Sequence, residues 1–142
     1  FPTDLQAPFM ALMTIAKGSS KITETIFENR MNHVDLLNQM GSSITLKDNI
    51  AHINGVKKLR GMTLVGLDLR SSAALIIAAL TSKSVSYVYG LEHLDRGYEN
   101  FEQKLSKLGI EIKRQITKSI ISESNYNNST LNNKDVSEIR AA

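Results

Sequence analysis

The chain contains no cysteine, so no disulfide, thiolate zinc site or cysteine nucleophile can be built from its residues, and a disulfide-stapled secreted scaffold is excluded. Aromatic residues are scarce at 6%, and 17 Lys and Arg against 14 Asp and Glu leave only +3 of net charge. A basic stripe with interleaved stacking residues is therefore missing, and no nucleic-acid partner is expected. Long apolar runs are missing too. The longest, residues 73–80, is far short of the ~20 residues that cross a bilayer, and no signal-peptide pattern opens the chain. The expectation is a cytoplasmic protein without a membrane partner. What is present is ordinary for a globular domain: 142 residues, 42% hydrophobic and 22% charged, enough to bury one core. The chain opens on Phe1 instead of Met, which fits a fragment.

Apolar residues at helical spacing alternate with short runs rich in β-branched residues, which predicts an α/β (α+β) fold. Helices are predicted over 4–16, 32–40, 69–81 and 98–108. Strands are predicted over 21–26, 44–46, 50–53, 62–65, 85–89 and 110–114. The spacing Thr3-x-x-Gln6 fits a capping box, and Gly18, Gly41 and Gly109 stand where helices should stop. Phe101, Leu105 and Leu108 lie at helical spacing and read as core. Residues 122–134 are dominated by Ser and Asn, and the segment 117–142 is expected to be a flexible tail.

The two halves repeat one another. Asp4-Leu5-Gln6 recurs as Asp68-Leu69-Arg70, each opening a helix; Asn29-Arg30 recurs as Asp95-Arg96, each ahead of the next helix; Met40-Gly41 recurs as Leu108-Gly109, each ending that helix. One supersecondary unit used twice explains this, over about 1–66 and 67–116, in strand, helix, strand, helix, strand order. Acidic residues and arginines then share equivalent element ends: Asp4, Glu28, Arg30, Asp68, Arg70, Asp95 and Arg96. A planar guanidinium binds phosphate or carboxylate through paired hydrogen bonds, and a carboxylate beside it can take a proton from a hydroxyl. The same residue types also serve as helix caps and surface ion pairs, and spacing does not separate the readings. His33, His52 and His93 lack metal-ligand spacing and read as surface or packing residues, so no metal site is expected. Gly18-Ser19-Ser20-Lys21 lacks the spacing of a phosphate-binding loop.

Four strings are more specific than any of these patterns: Phe1-Pro2-Thr3-Asp4-Leu5-Gln6-Ala7, Ile22-Thr23-Glu24-Thr25-Ile26-Phe27-Glu28-Asn29-Arg30, Asp68-Leu69-Arg70-Ser71-Ser72-Ala73-Ala74-Leu75 and His93-Leu94-Asp95-Arg96-Gly97-Tyr98-Glu99. Together they resemble the UDP-N-acetylglucosamine 1-carboxyvinyltransferase family, in order from Phe1 to about Arg114. The resemblance implies transfer of the enolpyruvyl group of phosphoenolpyruvate to the 3-hydroxyl of UDP-N-acetylglucosamine with release of phosphate, the first committed step of peptidoglycan synthesis. It implies an inside-out α/β barrel built from repeated units, incomplete in this chain, and no cofactor. It assigns Asp4 to the sugar hydroxyl as the catalytic base and Ile26 to the wall of the UDP-sugar site. Arg30, Asp68, Arg70 and Arg96 fall around the reacting centre, with Arg96 facing the anionic phosphoenolpyruvate.

The family chain is much longer, and its lysine and its cysteine or aspartate that serve phosphoenolpyruvate lie upstream of anything present. This chain resembles the C-terminal part, with the N-terminal part of the enzyme as its missing partner. The segment from Gln115 onward has no counterpart in the resemblance. The shikimate-pathway enolpyruvyl transferase is a second expectation, which the string from Ile22 to Arg30 disfavours. An inactive remnant or interaction module of the same fold is a third.

Overall fold

The computed structural model describes residues 1–117 and 136–141. Its first half runs from a 3-10 turn, Thr3–Leu5, into α1 (Gln6–Met13), β1 (Ser19–Thr23), α2 (His33–Gln39), β2 (Ser43–Lys47) and β3 (Ile50–Asn54). The second half follows through β4 (Thr63–Val65), α3 (Leu69–Leu80), β5 (Ser86–Tyr89), the short α4 (Leu91–Leu94), α5 (Phe101–Lys107), β6 (Ile112–Thr117) and β7 (Val136–Ala141).

The internal repeat is visible in the sheets. In the first, β3 lies between β1 and β2 and is antiparallel to both; in the second, β7 lies between β5 and β6 and is antiparallel to both, with β4 added in parallel at the outer edge of β5. Each unit is therefore helix, strand, helical segment, strand, strand, its last strand inserted centrally. Gly41 and Gly109 both take positive φ, at +95° and +84°, and end the equivalent helices in a conformation that suits glycine.

The repeat extends beyond the predicted boundary at 116. Val136–Ala141 was expected in a flexible tail and instead forms the central strand of the second sheet, paired with β5 through Ser86↔Ala141 and with β6 through Arg114↔Ile139. In the first unit the equivalent strands join at Asp48 and Asn49, where Asp48 has φ +54°. In the second they are separated by residues 118–135, which lie outside the described residues and hold the Asn- and Ser-rich run. The flexible tail expected from composition lies, over 118–135, outside the described residues, and composition missed the strand beyond it.

The apolar run at 73–80 becomes the C-terminal two-thirds of α3, which is buried from Ser71 to Ile76 and at Ala78 and Ala79, as expected of a helix apolar on all sides. It packs against α1, whose Gln6, Ala7, Met10 and Ala11 face inward. Met10, Leu37, Met40, Ile53, Leu64, Leu75, Leu91 and Leu94 are fully buried. Phe101 and Leu105 pack against this core, but Leu108, at the end of α5, is 77% exposed and corrects the stripe read from spacing. The placement of α1 and α3 side by side brings their N-terminal ends together, and the loop between β1 and α2 meets them there.

Candidate functional site

The helix start at residues 3–6 is not the capping box the sequence suggested. The Thr3 hydroxyl donates to Glu24 Oε2 at 2.6 Å and accepts from Arg30 Nη1 at 3.1 Å, so it is occupied away from its own helix, which opens as a 3-10 turn. Glu24 also ends β1 earlier than expected. Its Oε1 accepts the N–H groups of Ile26 and Phe27 at 2.9 and 3.3 Å, donors that would otherwise continue the strand. Its own backbone is held by Asn49, whose carbonyl accepts the Glu24 N–H and whose side-chain amide donates to the Glu24 carbonyl. The buried Glu24 carboxyl is kept below its ordinary pKa, first by the Thr3 hydroxyl, with the two N–H groups and the Arg30 charge adding to that and burial opposing it.

Asp4 projects from this turn into solvent between two arginines. Arg70 reaches its Oδ1 from the second unit with Nη2 at 2.6 Å and Nε at 2.7 Å, and Arg30 Nη1 stands 3.5 Å from the same oxygen. Arg30 is oriented further by the Phe27 ring, 3.7 Å beneath its guanidinium carbon. Phe27, Arg30 and Arg70 line a cavity of about 250 Å³ together with Ala7, Glu28, Asn29, His33, Asp68 and Ser71, and Asp4 reaches it only through its two arginines.

Asp68 takes the other reading that the sequence left open. It is the N-cap of α3: Oδ1 accepts the N–H groups of Arg70 and Ser71 at 2.8 and 2.9 Å, and the Ser71 hydroxyl accepts the Asp68 N–H in a reciprocal box. Its carboxylate still lines the cavity beside His33. That imidazole is buried, Nε2 has no hydrogen-bond partner among the described residues, and burial pushes its pKa down to about 4 against the opposing pull of Asp68. His33 is thus neutral at pH 7.

The structure brings Arg30, Asp68 and Arg70 together in the cavity wall with Asp4 paired to both arginines beside it, and it leaves Ile26 and Arg96 apart from the wall. Ile26 is exposed on the loop after Glu24, and Arg96 is exposed just beyond α4. The neighbour of Arg96 is fixed nonetheless. Asp95 is gripped by Arg114 of β6, with Nη1 and Nη2 at 2.9 and 2.7 Å, and Glu102 stands 3.3 Å from the same guanidinium, whose pKa the Asp95 hydrogen bond raises. Sequence reasoning missed Thr3, Glu24, Phe27 and His33 as parts of the site. Three of them lie inside the quoted strings, and the one spacing signal among them, Thr3-x-x-Gln6, pointed to a helix cap.

Comparison with known proteins decides the family. The model of EPSP synthase (3-phosphoshikimate 1-carboxyvinyltransferase) matches residues 1–105. The chain belongs to this family. Within it, the curated UDP-N-acetylglucosamine 1-carboxyvinyltransferase of Prochlorococcus marinus subsp. pastoris is 89% identical over all 142 residues, and that of Prochlorococcus marinus strain MIT 9312 is 63% identical over the same length. The chain spans only 31% of the length of each. Both alignments run through residues 115–142, so the segment does have a counterpart, contrary to the reading from the strings alone. Among solved structures, the enolpyruvyl transferase NikO from Streptomyces tendae matches at TM-score 0.69 and 29% identity, over 76% of this chain and 25% of that one. EPSP synthase from Acinetobacter baumannii matches at TM-score 0.65 over 98% of this chain and 28% of that one. Its 16% identity speaks to the fold alone, which is that of the enolpyruvyl transferases.

Proposed function

We propose that this chain supplies part of the site that transfers the enolpyruvyl group of phosphoenolpyruvate to the 3-hydroxyl of UDP-N-acetylglucosamine, with release of phosphate, in the peptidoglycan pathway of the cytoplasm. The observation that carries the reading is the Asp4 carboxylate held between Arg70 and Arg30, two residues that line the cavity. Transfer replaces the acceptor O–H bond by an O–C bond and expels phosphate, so the site needs an acceptor for one proton and cations for the phosphate and carboxylate charges. Asp4 is the proton acceptor. Arg30 and Arg70 hold it in place and meet anionic groups of the substrates, Asp68 lines the cavity beside them, Ile26 faces the nucleotide part, and Arg96 meets phosphoenolpyruvate from the second unit. The UDP-sugar is preferred over a shikimate acceptor because the relatives that are 63–89% identical carry the UDP-sugar name.

The partner is the remainder of the enzyme, since the chain spans 31% of the length of its relatives. The test is phosphate release from phosphoenolpyruvate and UDP-N-acetylglucosamine by this chain alone and with the complementary N-terminal part of the Prochlorococcus relative. Release only from the mixture supports the reading; none from the mixture, with both parts folded, supports an inert remnant.

A further inference from the structure

We propose that Glu24 is a positioning residue: through the Thr3 hydroxyl it fixes Arg30 against Asp4, so that a buried carboxylate outside the cavity wall sets how an arginine of that wall meets Asp4.

The chain of contacts is short and directional. Glu24 can only accept. The Thr3 hydroxyl must therefore point its proton at Oε2, 2.6 Å away, and this turns its lone pairs toward Arg30 Nη1 at 3.1 Å. That same Nη1 is the atom 3.5 Å from Asp4 Oδ1. Thr3 and Asp4 are adjacent in one 3-10 turn, and Glu24 and Arg30 both lie in the loop from β1 to α2. The hydroxyl thus joins two segments that share no sheet or helix. Glu24 is 4% exposed and uses both oxygens, Oε1 on the N–H groups of Ile26 and Phe27 and Oε2 on Thr3. A buried carboxylate is costly unless its hydrogen bonds are made, and a loop staple would require only the first pair. The second oxygen is spent on orienting Thr3.

Glu24→Gln separates the two roles. It keeps an oxygen for Ile26 and Phe27 but offers Thr3 an N–H, so the hydroxyl no longer has to aim its proton at residue 24 and the orientation that turns its lone pairs toward Arg30 is released. The direct readout is proton exchange of the Arg30 guanidinium by NMR in this 142-residue chain, which needs no activity. Exchange is expected to quicken by about tenfold in Glu24→Gln and in Thr3→Val and to stay near wild type in Thr3→Ser, which retains the hydroxyl. Unchanged exchange in folded Glu24→Gln, or in Thr3→Val should the first variant not fold, overturns the proposal. The consequence for transfer rests on the function proposed above. In the full-length Prochlorococcus relative carrying this chain in its aligned place, Glu24→Gln should lower kcat about tenfold with KM for the UDP-sugar changed less than about twofold. An unaffected kcat also contradicts the proposal. If the unmutated hybrid releases no phosphate, the functional reading fails while Arg30 exchange still decides the part played by Glu24.

Discussion

His33 and Glu24 are buried polar residues with opposite habits, and they respond to acid in different windows. His33 has a folded pKa of about 4 against an ordinary 6.5, so between those values the unfolded chain binds the extra proton and stability rises with pH. The difference corresponds to roughly 3 kcal/mol between pH 7 and pH 4. Urea unfolding at pH 7 and pH 5 should show the loss, and His33→Gln should flatten it. Glu24 is depressed below its ordinary 4.5, so its contribution is complete above that value and is lost as pH falls through its lowered pKa. Asp4 behaves differently again. Its side chain is 70% exposed, and its pairs with Arg70 and Arg30 are surface pairs worth under ~1 kcal/mol. Asp4→Asn should leave the thermal midpoint almost unmoved, a result that separates a functional pair from a structural one. Of this residue-level picture the sequence made Asp4, Arg30 and Arg70 legible, through the strings that contain them. It could not show that Asp68 caps α3 while Asp4 caps nothing, because both precede Leu at a helix start. The difference lies in where Thr3 and Ser71 send their hydroxyls, to Glu24 in one case and to the Asp68 backbone carbonyl in the other.

At the scale of elements, the helices and strands with strong periodicity stand close to where the sequence placed them. Leu69–Leu80 and Thr63–Val65 need only one residue trimmed from an end. The element that escaped is β7. Six residues of ordinary composition after an Asn- and Ser-rich run give no cue that they pair centrally, since the register that organises them comes from β5 and β6. A chain ending at residue 117 is the decisive comparison. If 117–142 were a dispensable tail, truncation would not alter stability. With β7 in the middle of the sheet, it removes every ladder bond holding β6, and at about 1 kcal/mol net for each bond several kcal/mol are lost. Thermal unfolding followed by circular dichroism should show a markedly lower midpoint for the truncated chain. Gly55 offers a sharper local test where β3 meets the end of α1. A Cβ there would stand 1.6 Å from the Ala16 carbonyl oxygen, a backbone atom with no room to rotate away. Gly55→Ala should destabilise by about 1–3 kcal/mol in urea titration.

The molecule as a whole leaves apolar surface uncovered. Leu5 of the 3-10 turn and Phe9 and Leu12 of α1 recur at helical spacing on one outer face, between 38% and 49% exposed, and Phe1 packs its ring 5.1 Å from that of Phe9. A stripe of this kind promotes association. The isolated chain should self-associate in light scattering as concentration rises, and Leu5→Lys with Leu12→Glu should return it toward the monomer. This property follows from the α1 periodicity only in part, because the sequence shows that the helix is apolar and not which of its faces α3 covers. Whether Asp4, set between Arg30 and Arg70, serves enolpyruvyl transfer is decided by phosphate release. In the full-length Prochlorococcus relative carrying this chain in its aligned place, the unmutated protein should release phosphate from phosphoenolpyruvate and UDP-N-acetylglucosamine, and Asp4→Asn should slow that release by at least about a hundredfold. Release at the unmutated rate from Asp4→Asn would contradict the account.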